Sequence, residues 1–346
     1  MKKKSLNVKK KNHKYLLKHL KKKKIYRVFK TFSLNLKSEN KLDTLACGIS
    51  GGPDSLALAF LSKCYEIIEK KKFYFFIVDH GLRKDSYKEA KLVKLKLSKF
   101  DINCKILQWK GKIPKSNIQS FARNVRYSLL NEECERKKIS TLLTAHHFDD
   151  LHENFYLRIM RGSGLKGISS FGDIYSFRGE LKILRPLITI KKSELISITR
   201  ETLKFYIDDP SNENKAFKRV KIREFIKNLN LEGLGTNKIK LTLNNLKQAN
   251  LALDYFANEN LRKNSNFYNF KKNVLISDSF LKAPKEVVIR SLSEILKKVG
   301  NKYYPPRGKS INKVIEFYRT KNSLKTTLGG CVMEKINNSV IIYKES

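Results

Sequence analysis

The chain has 346 residues, 41% of them hydrophobic, enough for two or three domains with buried cores, which excludes a disordered polypeptide. Lys and Arg number 73 against 32 Asp and Glu, a formal net charge of +41, so a polyanion such as RNA or DNA is the expected partner. Cys47, Cys64, Cys104, Cys134 and Cys331 form no C-x-x-C pair, which excludes a zinc ribbon or a redox dithiol and fits a reducing cytoplasm.

Residues 1–40 form a basic leader with lysine clusters at Lys2 to Lys4, Lys9 to Lys11 and Lys21 to Lys24. No apolar h-region follows and no stretch approaches the roughly 18 apolar residues of a membrane span, so no membrane partner is expected. The leader is Lys-rich rather than Arg- and Ser-rich, which disfavours an organellar transit peptide and leaves a nucleic-acid-attracting arm or a solvated extension. Strand-like and helix-like runs then alternate. Leu45 to Ile49 reads as a buried strand, Leu56 to Lys70 as an amphipathic helix, and Phe73 to Val78 as the next strand. A lysine-rich helix at about Lys88 to Lys99, a strand at Cys104 to Trp109, a long helix from about Asn117 and a strand at Thr141 to Ala145 follow. A helix then runs to about Arg161, where Gly162-Ser163-Gly164 stops it, and after a loop Leu184 to Ile190 reads as another strand.

Asp208-Asp209-Pro210-Ser211-Asn212 is a turn signal, and polar helix continues from there to about Asn264. From about Phe267 helix mixes with short strands such as Cys331 to Lys335 and Val340 to Tyr343. The expected architecture is α/β, a doubly wound and mostly parallel sheet followed by a helical segment and a small α+β module. The expected boundaries are a leader at 1–40, a catalytic domain at 41–215, a helical region at 216–265 and a C-terminal module at 266–346.

In open α/β sheets, chemistry gathers at the carboxyl ends of the strands. Three polar segments sit at such ends here. Ser50-Gly51-Gly52-Pro53-Asp54-Ser55 joins a strand to a helix, and its paired glycines let backbone N–H groups approach an anion closely. Its carboxylate, Asp54, suits that loop when Mg²⁺ arrives with a nucleotide. The spacing is not that of the Walker A loop. Asp79-His80-Gly81-Leu82-Arg83 ends the second strand, where His80 and Arg83 face nucleotide or substrate phosphate, or cap a loop.

His146-His147-Phe148-Asp149-Asp150-Leu151-His152-Glu153 is dense in metal-ligand types but lacks the H-E-x-x-H spacing of a zinc site. One or two of its carboxylates are expected to hold Mg²⁺ or to orient the attacking group, a histidine to meet phosphate or stabilise the turn, and His152 to lie at the surface. Gln119, Arg123 and Arg126 share one helix face, open to a nucleotide, an RNA backbone or solvent. Arg158, Arg161 and Lys166 flank a glycine-rich turn with the same choice.

SGGPDS at 50 to 55 resembles the SGGxDS loop of the N-type ATP pyrophosphatases. With VDHGLR at 78 to 83, NIQSFARNVRY at 117 to 127, TAHHFDDLHEN at 144 to 154, RGSGLKGISSF at 161 to 171, RPL at 185 to 187 and DDPSN at 208 to 212, it resembles the tRNA(Ile)-lysidine synthetase family. TTLGGC at 326 to 331 is similar to the start of that family's C-terminal element. Leu151 and Asn154 depart from the family's usual Gln and Thr, and Arg219-Val220-Lys221-Ile222-Arg223 from its RNxIR-like string.

The resemblance implies an adenine nucleotide α-hydrolase-like fold, ATP and Mg²⁺ as cofactors, and free L-lysine and a CAU-anticodon isoleucine tRNA as partners. It further implies a cytoplasmic enzyme, bacterial or of the plastid stroma, and weakly a homodimer. The implied reaction adenylates the 2-oxygen of the wobble cytidine and replaces it with the amine of lysine. Ser50, Gly51, Gly52, Pro53, Asp54 and Ser55 are implied in nucleotide binding, with His80 and Arg83 beside them and Asp54 on Mg²⁺. Asp54, Asp149, Asp150, Arg123 and His146 are the implied catalytic group. Glu153, Arg126, Arg158, Arg161, Arg219 and Arg223 would meet lysine or tRNA, with a carboxylate among Asp149, Asp150 and Glu153 taking the ammonium group or a proton from it.

Overall fold

The computed structural model describes residues 2–37, 44–83, 85–112, 114, 116–169, 175–177, 181–208, 218–268, 273–302, 304–320 and 325–345. The chain divides into two compact units, residues 1–236 and 237–346. The boundaries read from sequence at 40/41 and 215/216, and the turn at Asp209 to Asn212, lie outside the described residues.

The first unit opens with α1 (Lys2–Leu20) and α2 (Lys23–Lys37). Then come β1 (Thr44–Ile49), α3 (Pro53–Glu69), β2 (Lys72–Asp79), α4 (Ser86–Ser98), β3 (Cys104–Gln108), α5 (Ile118–Arg136) and β4 (Thr141–Leu143). After these come α6 (Phe148–Ile159), α7 (Leu165–Ser169), β5 (Tyr175–Phe177), β6 (Leu181–Leu184), α8 (Lys192–Thr202) and α9 (Lys218–Leu231).

Strand order is β3-β2-β1-β4-β6-β5, with every pairing parallel except β5 on β6. The period-2 alternation of a pleated strand sorts its side chains into two cores. Leu45, Cys47 and Ile49 of β1 and Phe73, Phe75 and Ile77 of β2 pack with α3, α4 and α8 on one face. Ala46 and Phe76 turn the other way, onto Tyr127, Leu130 and Cys134 of α5. The winding reverses between β1 and β4, and at such a switch point the loops beyond adjacent strand ends part to leave a crevice.

The leader departs from a solvated extension. Leu16 and Leu20 of α1 and Ile25, Val28, Phe29, Phe32 and Leu36 of α2 are buried in the same core as α3. Tyr15 Oη donates to Thr202 O at 3.0 Å, and Asn35 Nδ2 to Pro186 O at 2.8 Å. The apolar stripe of α2 has helical spacing, but the dense lysines around it mask it in the sequence. The strand expected at Leu184 to Ile190 also shifts, to β6. Pro186 has no N–H to give a ladder, so residues 185–190 form turns closed by Ile188 N to Arg185 O at 3.2 Å and Ile190 N to Leu187 O at 2.9 Å. The stretch before β6, read as loop, contains β5.

The second unit contains α10 (Thr236–Asn264), β7 (Ser265–Tyr268), β8 (Asn273–Ile276), α11 (Asp278–Lys282), α12 (Lys285–Val299), α13 (Gly308–Thr320), β9 (Lys325–Leu328), β10 (Cys331–Ile336) and β11 (Ser339–Lys344). Its antiparallel sheet, ordered β7-β8-β11-β10-β9, packs Val274, Ile276, Met333 and Ile342 against α12 and α13. Leu328 pairs with Cys331 across Gly329 (φ +67°) and Gly330 (φ +75°), the two-residue hairpin turn that needs positive φ at both central positions.

Candidate active site

The anion loop is held by a serine that reaches back across it. Ser55 Oγ, in the first turn of α3, accepts from Ser50 N and Gly51 N at 3.1 Å each and donates to Gly52 O at 2.9 Å. Gly51 has φ +88°, and a Cβ there would sit 2.8 Å from Val93 Cγ2, so only glycine fits without movement. Gly52 is the N-cap of α3, Pro53 follows it, and no side chain caps the helix. The donors of the first turn are therefore left for an anion, which the helix dipole favours.

Beyond β4 residues 144–146 belong to no regular element and lead into His147, the N-cap of α6, whose own backbone is extended (φ −127°, ψ −179°). Successive side chains of an extended segment point to opposite sides, and here adjacent histidines enter opposite electrostatic environments. Thr144 Oγ1 lies 2.9 Å from His146 Nδ1. Burial, then the positive charges of Arg185, Arg123 and Arg219, push the His146 pKa well below the usual histidine value, so this ring is neutral.

His147 faces carboxylates instead. Its Nε2 is 3.5 Å from Asp54 Oδ2 and from Asp150 Oδ2, and its Nδ1 is 3.6 Å from Asp149 Oδ2. Burial alone would lower its pKa, but the bond to Asp54 and the charges of Asp150, Asp54 and Asp149 outweigh it and the pKa is raised. His147 and Asp150 also form a capping box, Asp150 Oδ2 accepting from His147 N at 3.1 Å and His147 Nδ1 receiving Asp150 N at 3.4 Å. The latter contact needs a bare Nδ1, and at 3.4 Å it is long.

The crevice thus has a cationic half, His146 with Arg123, Arg185 and Arg219, and an anionic half, Asp54, Asp149 and Asp150 around His147. Asp149 Oδ2 also accepts from Lys192 N at 2.8 Å, which ties α6 to the start of α8. Thr199 of α8 donates to Pro53 O at 2.7 Å, closing the connection back to the loop.

The PP-loop domain model matches residues 20–229. The chain is 32% identical over 307 residues to the tRNA(Ile)-lysidine synthase of Wolbachia pipientis wMel, covering 87% of this chain and 70% of that one. To the tRNA(Ile)-lysidine synthase of Orientia tsutsugamushi it is 33% identical over 308 residues, covering 87% and 69%. The chain belongs to the PP-loop family of tRNA(Ile)-lysidine synthases. The fold is also that of the U34-tRNA thiolase NcsA from Methanococcus maripaludis, with a TM-score of 0.54, 20% identity and coverage of 67% of this chain and 80% of that one.

Within this family frame the remaining expected residues separate. Glu153, nearly fully buried, is bound to Arg223 of α9 with Nε to Oε1 at 2.5 Å, and its Oε2 is buried without a hydrogen-bond partner. Arg158 donates to Asn154 Oδ1 at 2.5 Å and to Gly167 O, so it closes the turn after α6. Arg161 and Arg126 are exposed, and Arg123 stacks on Tyr127 at 4.9 Å. His80 is half-buried at the end of β2, and Arg83 pairs with Glu89 at 2.8 Å. His152 is not at the surface. It is buried with its ring tilted against Phe148 (5.9 Å) and Tyr156 (5.3 Å), and Tyr156 meets Phe225 of α9 at 5.5 Å.

The sequence reading gave Arg185 and Asp79 no role of their own, and it reached His147 only through its cluster, one histidine of which was expected to meet phosphate or stabilise the turn. Arg185 is buried directly after β6, the strand-end position that already singled out the other segments. Asp79, buried at the end of β2, accepts from Gly81 N at 3.0 Å, Ser86 Oγ at 2.7 Å and Gln108 Nε2 at 3.3 Å, and so sets the turn carrying His80. Among the described residues no group of three or more His, Cys, Asp or Glu is arranged to hold a metal ion. Asp54 Oδ1 is buried without a hydrogen-bond partner beside the phosphate loop. One such oxygen fits Mg²⁺ held chiefly by nucleotide phosphates.

Proposed function

We propose that this chain is a ligase that uses ATP to join free L-lysine to carbon 2 of the wobble cytidine in a CAU-anticodon isoleucine tRNA, releasing AMP and pyrophosphate. The observation that carries the reading is the division of the crevice into cationic and anionic halves next to the phosphate loop. In the first step the cytidine 2-oxygen attacks the α-phosphorus, the bond to the β-phosphate oxygen breaks and its electron pair leaves on pyrophosphate. In the second the lysine amine attacks carbon 2, the carbon–oxygen bond breaks and AMP leaves. Carbon 2 is a poor electrophile until its oxygen carries the adenylate, which is why a nucleotide is spent on it.

Ser50, Gly51, Gly52 and Ser55 would cradle phosphates while Arg123 and the neutral His146, joined by Arg185 and Arg219, meet the charge that develops on the leaving group and base. Asp54 would hold Mg²⁺, which when bound neutralises phosphate charge. Asp149 or Asp150 would orient the lysine ammonium group and take the proton that its amine loses. Arg126 and Arg161, both exposed, would meet the tRNA backbone.

A thiolase reading would need reactive or cluster-ligating sulfur. All five cysteines are buried and unbonded to one another. Burial raises every one of their pKa values, Cys104 and Cys134 to about 12 and Cys331 to about 11. Thiols of that kind are poor nucleophiles at neutral pH.

The deciding experiment is ATP-dependent incorporation of labelled lysine into unmodified CAU-anticodon isoleucine tRNA, with a methionine tRNA of the same anticodon as control. Incorporation into the isoleucine tRNA alone is expected. AMP formation without lysine transfer would replace the nucleophile, and no turnover with tRNA binding intact would reduce the protein to a binder. Asp54→Ala should abolish tRNA-dependent AMP formation and preserve tRNA binding.

A further inference from the structure

Helix α1 precedes nearly all of the segment matched by the PP-loop domain, and the exposed lysines among its described side chains lie on one side. No Asp or Glu occurs before Glu39, whereas fifteen Lys and Arg do, in a chain whose total is 32 Asp and Glu. A compositional bias toward lysine explains added lysines but not the local absence of carboxylates. Lys10, Lys14 and Lys18 follow at i, i+4 and i+8, with Lys11 beside them, all exposed. They lie roughly 150° around the helix from the buried Leu16 and Leu20.

The orientation is fixed. Leu16 and Leu20 pack into the core, His13 Nε2 meets Asp101 Oδ2 at 3.1 Å, and Lys63, on α3, shares that carboxylate at 3.0 Å. Lys22, in the turn before α2, and Arg27 of α2 are neutralised by Glu201 and Glu194 of α8. None of the four α1 lysines has an ion-pair partner among the described residues.

We propose that this outward face of α1 grips the phosphodiester backbone of the tRNA, a docked basic surface supplementing the catalytic crevice. The inference rests on tRNA being the substrate. Phosphates are the fitting ligand because Lys10, Lys11, Lys14 and Lys18 present ammonium charge to solvent, the pattern of sequence-independent backbone binding. A membrane surface fits less well. The apolar stripe that an interfacial helix would insert is already buried against the protein.

The test compares the full chain with a variant carrying Lys→Gln at 10, 11, 14 and 18, and with a second carrying Lys→Arg at the same positions, in tRNA binding across a salt series. The Lys→Gln variant should bind at least about 10-fold more weakly near 0.1 M salt, with the log–log salt slope reduced by about 0.7 to 0.9 for each phosphate that is no longer neutralised. The Lys→Arg variant should bind as the parent does, which separates loss of charge from loss of fold.

Equal affinity and slope in the Lys→Gln variant and the parent would overturn the proposal. So would parent binding to phosphatidylserine vesicles that the Lys→Gln variant loses while its tRNA binding stays unchanged. Lysine transfer reports separately. A parent that binds tRNA through these lysines yet transfers no lysine would overturn the ligase reading and leave the surface standing.

Discussion

Replacing His147 with alanine should destabilise the first unit by an amount that depends on pH in a predictable direction. The ring is buried and touches Asp54, Asp149 and Asp150. Removing an N-cap costs about 1 kcal/mol. Where the ring is protonated its Nδ1 no longer accepts from Asp150 N, and the cost is instead that of removing the charged partner of three partly buried carboxylates, about 2 kcal/mol. The folded pKa is raised, so the folded ring holds its proton more tightly than the unfolded ring near 6.5. Its charge contribution is therefore complete below about pH 6.5 and disappears as pH rises through the folded value, leaving about 1 kcal/mol from the cap.

Trp109 is the single tryptophan, lies just after β3 and packs edge-on against Phe121 at 5.9 Å, so its fluorescence follows the first unit in urea. The gap between parent and variant should narrow from about pH 6 to about pH 9. A gap that is constant or widens would refute the account of His147 as an imidazole whose pKa the carboxylates raise.

His146→Asn should behave in the opposite sense. The folded His146 pKa is depressed, so the unfolded state takes up the proton first, and the parent loses stability as pH falls below about 6.5. The asparagine variant escapes that loss, so its deficit in urea midpoint should shrink toward acid pH, and a growing deficit would contradict a neutral ring. Gly51→Ala places a Cβ in the left-handed region against Val93 and should cost about 2 kcal/mol and at least about ten-fold in ATP affinity, measured by calorimetric titration. Phe32→Ala should cost about 3 to 5 kcal/mol by urea unfolding, since the ring is fully buried between α2 and the catalytic core. A change under about 1 kcal/mol would restore the reading of the leader as an appendage.

The phosphate loop and the sheet were legible because their signals are local. An apolar run followed by Ser-Gly-Gly-Pro-Asp-Ser announces a strand, a turn and a helix whatever surrounds it. β6 was misjudged because hydropathy alone continued through Pro186, while the missing N–H ends the ladder at Leu184. His152 was assigned to solvent on its polarity, although it stands four residues from both Phe148 and Tyr156 and so belongs to their helical row. The pairing of Glu153 with Arg223 has no local signal at all, because the partners are 70 residues apart and meet only when α9 packs on α6.

The division of charge in the crevice lies between these cases. Residues of one extended segment must alternate, and the rule that sends Leu45 and Ala46 into different cores also sends His146 and His147 to different sides. From sequence, the cluster at 146 to 153 was read as one pool of metal-like ligands. Resolved by alternation, it becomes one imidazole whose pKa is pushed down by burial and three arginines and another whose pKa is raised by three carboxylates. The two environments stay apart because the backbone at His147 is extended. A substitution there that preserved every functional side chain but rotated this segment should therefore mix the two environments, bring the two histidine pKa values together and end the chemistry. The backbone at this N-cap is thus as much a part of the site as the side chains it carries.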